Sequence, residues 1–559
     1  MLIIIGIIFV FTLGFFYMGF FNSKESNEEP EEQIDDRISP LTSQGLSVQI
    51  NLLRRRGLEE EMRKFGLTVP KPNPYYLVVT IDGKEYNGKY IDAAQGKGSG
   101  SITEWFTNLN FLNLNRDVKE EQETSHVNIK IMEIPFGNRR TNGQNDVVLE
   151  EIQLIYNYRS GRWQGDDYLG DCDGLGHYFG KNCEIWFDIR QVDFDNDGIP
   201  YWVEVNILKT NPKSDDSKLD PDNDGIPTSW EWKWGYQPYV PDNHSQLDPD
   251  VDGLCNCVEY QLEKWLASPF RKDIFIEVDG MSSGPNLLDF PTMEFWPESQ
   301  QMVIDKFSIH DITLHIDDGT IHLGKGNMGG GGIVQYNEAI SQESGIKHYY
   351  DFHFSDERKG IFHYCLISHI AGWCYPQTFG NRNDAFSMSG SMDVFRTDFG
   401  KNNILYSILN PQLSLFNLRT KYIWLASLFM HELGHSLGLI PDYCRLWVPD
   451  DLRENDTTFY FGGIDNQSVK FLVGETPQEI WSNRNYAVDY WADYVSVMNY
   501  GNDGQGPFHG LNKPTYSATV LDYSDGTHGP HDVDDWSHID LTFFQKCPPY
   551  LEEYNYELE

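Results

Sequence analysis

The chain reads as a multidomain α+β protein: an N-terminal β-sandwich, a spacer of acidic loop repeats, and a C-terminal domain of mixed sheet and helix. Three observations predict this. Residues 45 to 190 hold short β-branched and aromatic runs separated by turn clusters; residues 191 to 260 repeat one acidic pattern; and from residue 271 strand-like and helix-like segments alternate, ending in one long apolar helix. At 559 residues the chain is also too long to be organised around one core.

The N-terminal runs are Tyr75 to Gly83, His126 to Ile134, Asp146 to Tyr158 and Asn182 to Ile189, bounded by Gly, Asn and Asp. Such runs suit pleated, half-buried strands. In the C-terminal part, Lys272 to Asp279, Ile312 to Asp318, Phe362 to Ser368 and Ala385 to Phe395 read as strands. A helix is expected near Glu298 to Lys306 and a longer one from about Asn417 to Leu437. The run Gly329 to Gly332 lacks the Gly-Lys-[Ser/Thr] of a phosphate loop and reads as a mobile loop.

Residues 2 to 21 carry no charge, and about twenty apolar residues suffice to span a bilayer. No basic residue precedes them, and Phe20, Phe21 and Asn22 make a poor cleavage site, so segment 1–21 favours an uncleaved anchor over a removed signal. Either places the rest outside the cytoplasm, extracellular or at the cell surface, with the membrane as a partner through this segment. An acidic tether, 22–44, follows. The domain limits are then 45–190 for the β-rich part, 191–270 for the repeats and 271–559 for the C-terminal domain.

Lys plus Arg number 43 against 84 Asp plus Glu, a net charge of -41. A phosphate backbone requires a basic face, so nucleic acid is excluded as a partner. Eight cysteines in an exported chain permit disulfides, with Cys172–Cys183 and Cys365–Cys374 as local pairs.

Part of the acidity is ordered. Asp193, Asp195, Asp197, Gly198 and Glu204 share one frame with Asp220, Asp222, Asp224, Gly225 and Glu231, and with Asp248, Asp250, Asp252, Gly253 and Glu259. Each set places carboxylates at positions 1, 3, 5 and 12 and glycine at 6, and the sets begin 27 and 28 residues apart. That spacing wraps oxygen ligands around a hard cation such as Ca2+, and the glycine permits the sharp turn. The run from Asp193 to Trp232 resembles the calcium repeats of thrombospondin type 3 modules, which implies a stiff calcium-loaded spacer. Pro200 and Pro227 disfavour the paired helices of a sensor EF-hand.

His431-Glu432-Leu433-Gly434-His435 is an HExxH motif. On a helix, residues four apart share a face, so His431 and His435 can reach one Zn2+, and Glu432 beside them can act as general base on a water. Trp424 and Leu428 share that stripe, so the face points inward. Gly438 suits a helix end.

Met498, in Ser496 to Tyr500, lies 63 residues after His435. Together with HExxH and Gly438 it resembles the metzincin zinc metalloproteases. The resemblance implies a zincin-type catalytic domain, Met498 as the Met-turn residue, Tyr500 near the oxyanion, and a protein or peptide substrate. Metzincins place a third ligand ten residues after the first histidine. Here that position is Pro441 and Asp442 follows, so Asp442 is the first candidate for the third ligand. The alternatives are His528, His531, His538 or a water. The expected function is an extracytoplasmic zinc endopeptidase with structural calcium. The competing expectation is a non-enzymatic, calcium-dependent adhesion protein with a degenerate protease domain.

Overall fold

The structure is a computed structural model. It describes residues 46–64, 75–87, 104–111, 122–134, 146–170, 174–191, 193–284, 293–319, 328–337, 345–368, 383–390, 411–441, 460–461, 464, 493–499 and 520–545.

Alternating apolar residues in the N-terminal runs build two antiparallel sheets. One has the order β4-β1-β9-β8, from Glu104–Phe111, Leu46–Arg55, Cys183–Gln191 and Gly176–Phe179; the other is β3-β2-β5-β6-β7, from Lys84–Asn87, Tyr75–Ile81, Thr124–Glu133, Val147–Asn157 and Arg162–Gly165. Burial along β5 alternates, with His126 and Asn128 outside the core and Val127 and Ile129 within it. The inward residues of both sheets meet in one cluster that includes Val48, Ile50, Leu77, Val79, Ile129, Ile152 and Phe187. Face-to-face burial of this kind covers one side of each sheet; the outer side of the first sheet is covered as well, where Leu52 and Trp186 cluster with Trp230 and Trp234.

A parallel sheet dominates the C-terminal half. Its strands are β10 (Asp273–Met281), β11 (Thr313–Asp317), β12 (Gly332–Val334), β13 (Phe362–Ser368) and β14 (Ala385–Ser389), in the order β11-β10-β13-β14 with β12 also on β10. Strands β10 and β13 are buried along their whole length, as parallel strands covered on both faces must be. The helix Pro297–Ile309 starts on a proline, whose fixed φ suits a first turn, and it packs on β11. The 26-residue helix Pro411–Ser436 packs on β14 and on that helix. Phe295, Phe386, Phe429, Met430, Leu433 and Met498 close the core around it.

Three expectations are corrected. The Gly329 to Gly332 run is held rather than loose: Gly330 N–H donates to Asp317 Oδ2 at 2.9 Å, and Gly332 starts β12 against β10. Cys183 and Cys365 are free thiols, each fully buried in a strand that faces a core, so neither takes part in the local pair expected of it. Among the described residues no helix is long and apolar enough to cross a membrane. The longest is interrupted by Arg419, Lys421 and Glu432. The expected anchor, 1–21, lies outside the described residues. The transmembrane helix and the cell-surface location argued from it are therefore withdrawn.

Candidate metal centres

Each acidic repeat folds into the same loop because its own backbone closes it. The glycine N–H at position 6 donates to the first aspartate: Gly198 to Asp193 at 2.7 Å, Gly225 to Asp220 at 3.0 Å, Gly253 to Asp248 at 3.0 Å. The residue after the glycine donates to the aspartate at position 5: Ile199 to Asp197, Ile226 to Asp224, Leu254 to Asp252. Position 4 is left-handed in all three, with φ of 63° at Asn196, 61° at Asn223 and 62° at Val251. Asparagine tolerates that region; a β-branched valine does not readily. The position-6 glycines lie at φ 92°, 98° and 93°, where any other side chain would be strained.

Pro200 and Pro227 stand at the N-caps of the helical turns that follow the first two loops, beginning at Tyr201 and Thr228; Asn256–Leu262 follows the third. Each turn carries its position-12 glutamate inward, and Glu204, Glu231 and Glu259 are all buried. Among the described residues, both carboxylate oxygens of Asp195, Asp222, Glu231, Asp250 and Glu259 are buried with no hydrogen bond. Burying so many uncompensated carboxylates is prohibitive unless a cation or protons neutralise them. The side chains respond in that way. Burial, reinforced by neighbouring aspartates, pushes Glu204 up to about 9, Glu231 to about 8, Asp250 to about 9 and Glu259 to about 11. The ligand atoms of Asp193, Asp195 and Asp197 lie within 4.8 Å of one another, as do those of Asp220, Asp222 and Asp224. The donor set therefore fits Ca2+ in chemistry and in spacing.

The loops also recruit residues that their twelve-position frame does not contain. Asp216 joins Asp197 and Glu204 within the same 4.8 Å limit, and His244 joins Asp224 and Glu231. At the third loop, Asp273 at the head of β10 donates its backbone N–H to Asp252 Oδ2 at 2.7 Å. The third loop is thereby tied into the parallel sheet. Only the wider spacing of the repeat could have indicated these partners, since they return from 12 to 14 residues beyond each glutamate.

The second centre lies at the end of the long helix. His431, Glu432 and His435 are all but inaccessible to solvent, at 0%, 1% and 1% exposure. His431 Nδ1 lies 2.8 Å from the Val497 carbonyl, and His435 Nδ1 lies 2.7 Å from the Leu439 carbonyl. A carbonyl can only accept, so each Nδ1 carries the proton and each Nε2 keeps its lone pair. Backbone carbonyls orient metal-binding histidines in just this manner. The two rings stand 4.8 Å apart and nearly perpendicular.

The helix ends where Gly438 adopts φ 92°, with Gly438 N–H to His435 O at 3.2 Å and Leu439 N–H to Gly434 O at 2.9 Å. This left-handed cap turns the Leu439 carbonyl back onto His435. Met498 lies under the helix: a β-carbon at position 434 would sit 2.7 Å from its Sδ. The Met498 turn is braced by Asp535, which accepts from Ser496 Oγ (2.5 Å), Tyr494 OH (2.7 Å) and Ser524 N–H (3.0 Å). Burial nevertheless raises Asp535 to about 6. No local motif marked Asp535, because its partners lie 11 to 41 residues away in sequence.

The structure brings His431, Glu432, His435 and Met498 together. Asp442 and Tyr500 lie outside the described residues. Of the alternative third ligands, His528 is held by Asp532 at 2.8 Å and is partly exposed, and exposed His538 points Nδ1 at the Asp534 carbonyl, 2.6 Å away. His531 is partly exposed beside Asp493 at 4.0 Å. Trp424 is buried, as the inward stripe requires, whereas Leu428 lies at the edge of the core.

No protein-family model matches the chain, and no curated protein matches it. Among solved structures, human GIVD cytosolic phospholipase A2 is similar over 26% of this chain and 16% of its own, at 12% identity and a TM-score of 0.17. The SMP and tandem C2 domains of extended-synaptotagmin 2 are similar over 27% of this chain and 28% of their own, at 13% identity and TM-score 0.16. Drosophila C2-DSL-EGF1 is similar over 27% of this chain and 67% of its own, at 10% identity and TM-score 0.14. The chain thus spans about a sixth of the phospholipase, and likenesses this slight carry no argument about fold or activity.

Proposed function

We propose that the chain is a zinc-dependent endopeptidase stabilised by calcium in its acidic loops. The observation that carries the reading is the pair of Nδ1-to-carbonyl hydrogen bonds, which leave Nε2 of His431 and of His435 as the basic nitrogens. Two imidazoles so fixed, four residues apart on a buried helix, fit a zinc ion. Asp442 is the sequence's candidate for the third protein ligand. A zinc ion held there supplies Lewis acidity, polarising a peptide carbonyl and acidifying a water.

The chain's own groups do the rest. Glu432 takes a proton from the attacking water and returns it to the departing amine, as a general base and then a general acid. The surrounding apolar side chains, Leu433, Phe429 and Met498 among them, keep bulk water away and strengthen each charge–dipole interaction within. Met498 and the Asp535 brace keep the Val497 carbonyl, and so the His431 ring, in place.

The test is Glu432→Gln in the full chain, assayed for zinc content and for hydrolysis of a generic peptide. The expected result is zinc retained and turnover lost by about two to four orders of magnitude, the range a general base supplies. Undiminished hydrolysis in that variant would refute the mechanism.

A further inference from the structure

The three acidic loops are alike in backbone but not in what closes them. At the first loop the added residue is Asp216, another carboxylate. At the third it is Asp273, whose own carboxylate is engaged by Ser268 N–H at 2.9 Å and by His315 Nε2 at 2.7 Å. At the second it is a histidine. His244 Nε2 lies 3.2 Å from Asp224 Oδ2 and 3.9 Å from Glu231 Oε1, the carboxylates at positions 5 and 12 of that loop. Separations near 3 to 4 Å are those of two ligand atoms sharing one ion at metal–ligand distances of about 2.0–2.3 Å.

His244 cannot swing away. It is 1% exposed, with Tyr236 edge-on at 4.9 Å and Trp230 edge-on at 5.9 Å. Glu231 opposite is 0% exposed. Among the described residues neither oxygen of Glu231 nor Nε2 of His244 makes a hydrogen bond. On its other side, His244 Nδ1 lies 2.9 Å from the Asn256 carboxamide. A half-turn of that amide gives its oxygen, which otherwise makes no hydrogen bond, an N–H from Nδ1. Nε2 then faces the carboxylates with its lone pair.

We infer that His244 Nε2 is a nitrogen ligand of the second loop, and that this loop takes a divalent transition cation such as Mn2+ in preference to Ca2+, while the first and third loops remain oxygen-only calcium sites. The inference rests on reading the loops as cation sites. Its chemical reason is donor type. Calcium prefers an all-oxygen shell, whereas imidazole nitrogen raises affinity for first-row transition ions. Half-buried Asp220, Asp222 and Asp224 and buried Glu231 supply the charge; His244 supplies the selectivity.

The experiment uses the full chain with zinc already bound at His431 and His435 and calcium in excess. Mn2+ is titrated in, calcium stoichiometry is followed by elemental analysis, and bound Mn2+ is examined by pulsed paramagnetic resonance for imidazole nitrogen coupling. The expected result is one calcium of three displaced, with nitrogen coupling on the Mn2+ that replaces it. His244→Asn, which offers an amide oxygen, should keep three calcium ions, lose the coupling, and bind Mn2+ about tenfold or more weakly, a loss typical even of outer-shell partners. His528→Ala, which disrupts the Asp525–His528–Asp532 group, should leave the calcium stoichiometry and the nitrogen coupling on Mn2+ as they are. Three bound calcium ions with no nitrogen coupling on Mn2+, or coupling that survives in His244→Asn, would overturn the inference and leave the calcium reading intact. Calcium at none of the loops would overturn the calcium reading and with it the assignment of the first and third loops, and nitrogen-coupled Mn2+ would then uphold only His244 as a ligand of the second. Should His244→Asn fail to fold, the wild-type coupling, with His528→Ala as control, decides.

Discussion

The acidic loops and the HExxH helix both gather buried groups able to hold a cation, in opposite ways. Each loop carries four carboxylates within twelve residues, recruits one further residue from a return segment, and is closed by hydrogen bonds from its own backbone, such as Gly225 N–H to Asp220. The HExxH helix carries two candidate ligands in one turn; His435 is oriented by Leu439 close by, but His431 depends on Val497, 66 residues away, and on the Met498 turn braced by Asp535. A local site is written in a spacing; a long-range site is written in packing. The loops should therefore respond to cation removal as autonomous units, and the helix to changes in the core beneath it.

The largest difference is expected on chelation. Removing calcium with a chelator selective over zinc should lower the melting temperature while zinc content stays constant. Each site contributes up to about 2.7 kcal/mol when calcium stands a hundredfold above its Kd. A thermal melt indifferent to chelation would remove the distinction between the two regions.

Next comes the floor of the helix. Gly434→Ala drives a methyl group into Met498 Sδ and should cost about 1–3 kcal/mol. Because His431 and His435 flank the site, zinc affinity should fall with stability while calcium stoichiometry stays at three. Equal weakening of both metals would show that the regions are not independent.

Asp442→Ala sharpens the comparison further. If that carboxylate completes the zinc set, zinc content and hydrolysis fall together and the calcium-dependent melt is unchanged. Unaltered zinc content would move the third ligand elsewhere.

The smallest expected effect is on pH. In the chelated chain, Glu204, Glu231 and Asp250 hold protons in the folded state up to about 9, 8 and 9 because burial disfavours their charged forms. Unfolded carboxyls release theirs near 4. The folded state thus binds more protons between those limits. The stability these groups contribute is full below about pH 4 and is lost as pH rises through 8 to 9. Denaturant midpoints of the chelated chain should fall from pH 5 to pH 9, and excess calcium should abolish the slope. A chelated chain that gains stability over that range would contradict the burial of these carboxyl groups.

How much was legible in the sequence follows the same division. Positions 1, 3, 5, 6 and 12 of each loop could be read because the turn that they make needs only neighbours. Asp216 and His244 could not be read from that frame, since both arrive from return segments beyond it, His244 from one packed against Trp230 and Tyr236. The strand Phe362–Ser368 and most of the long helix were readable from their predominantly apolar runs. The Gly329 to Gly332 run misled, because glycine content alone does not show that Asp317 waits to accept a glycine N–H. The cysteine count misled as well, since Cys183 and Cys365 serve as buried apolar side chains.

The central claim is that His431 and His435 present Nε2 to one zinc ion. X-ray absorption at the zinc edge of the purified full chain tests it most directly. With Mn2+ occupying the second loop, the account predicts one zinc per chain with two imidazole nitrogens at about 2.0–2.1 Å, and loss of that signal in His435→Ala. A zinc shell without imidazole, or one unchanged by His435→Ala, would contradict it.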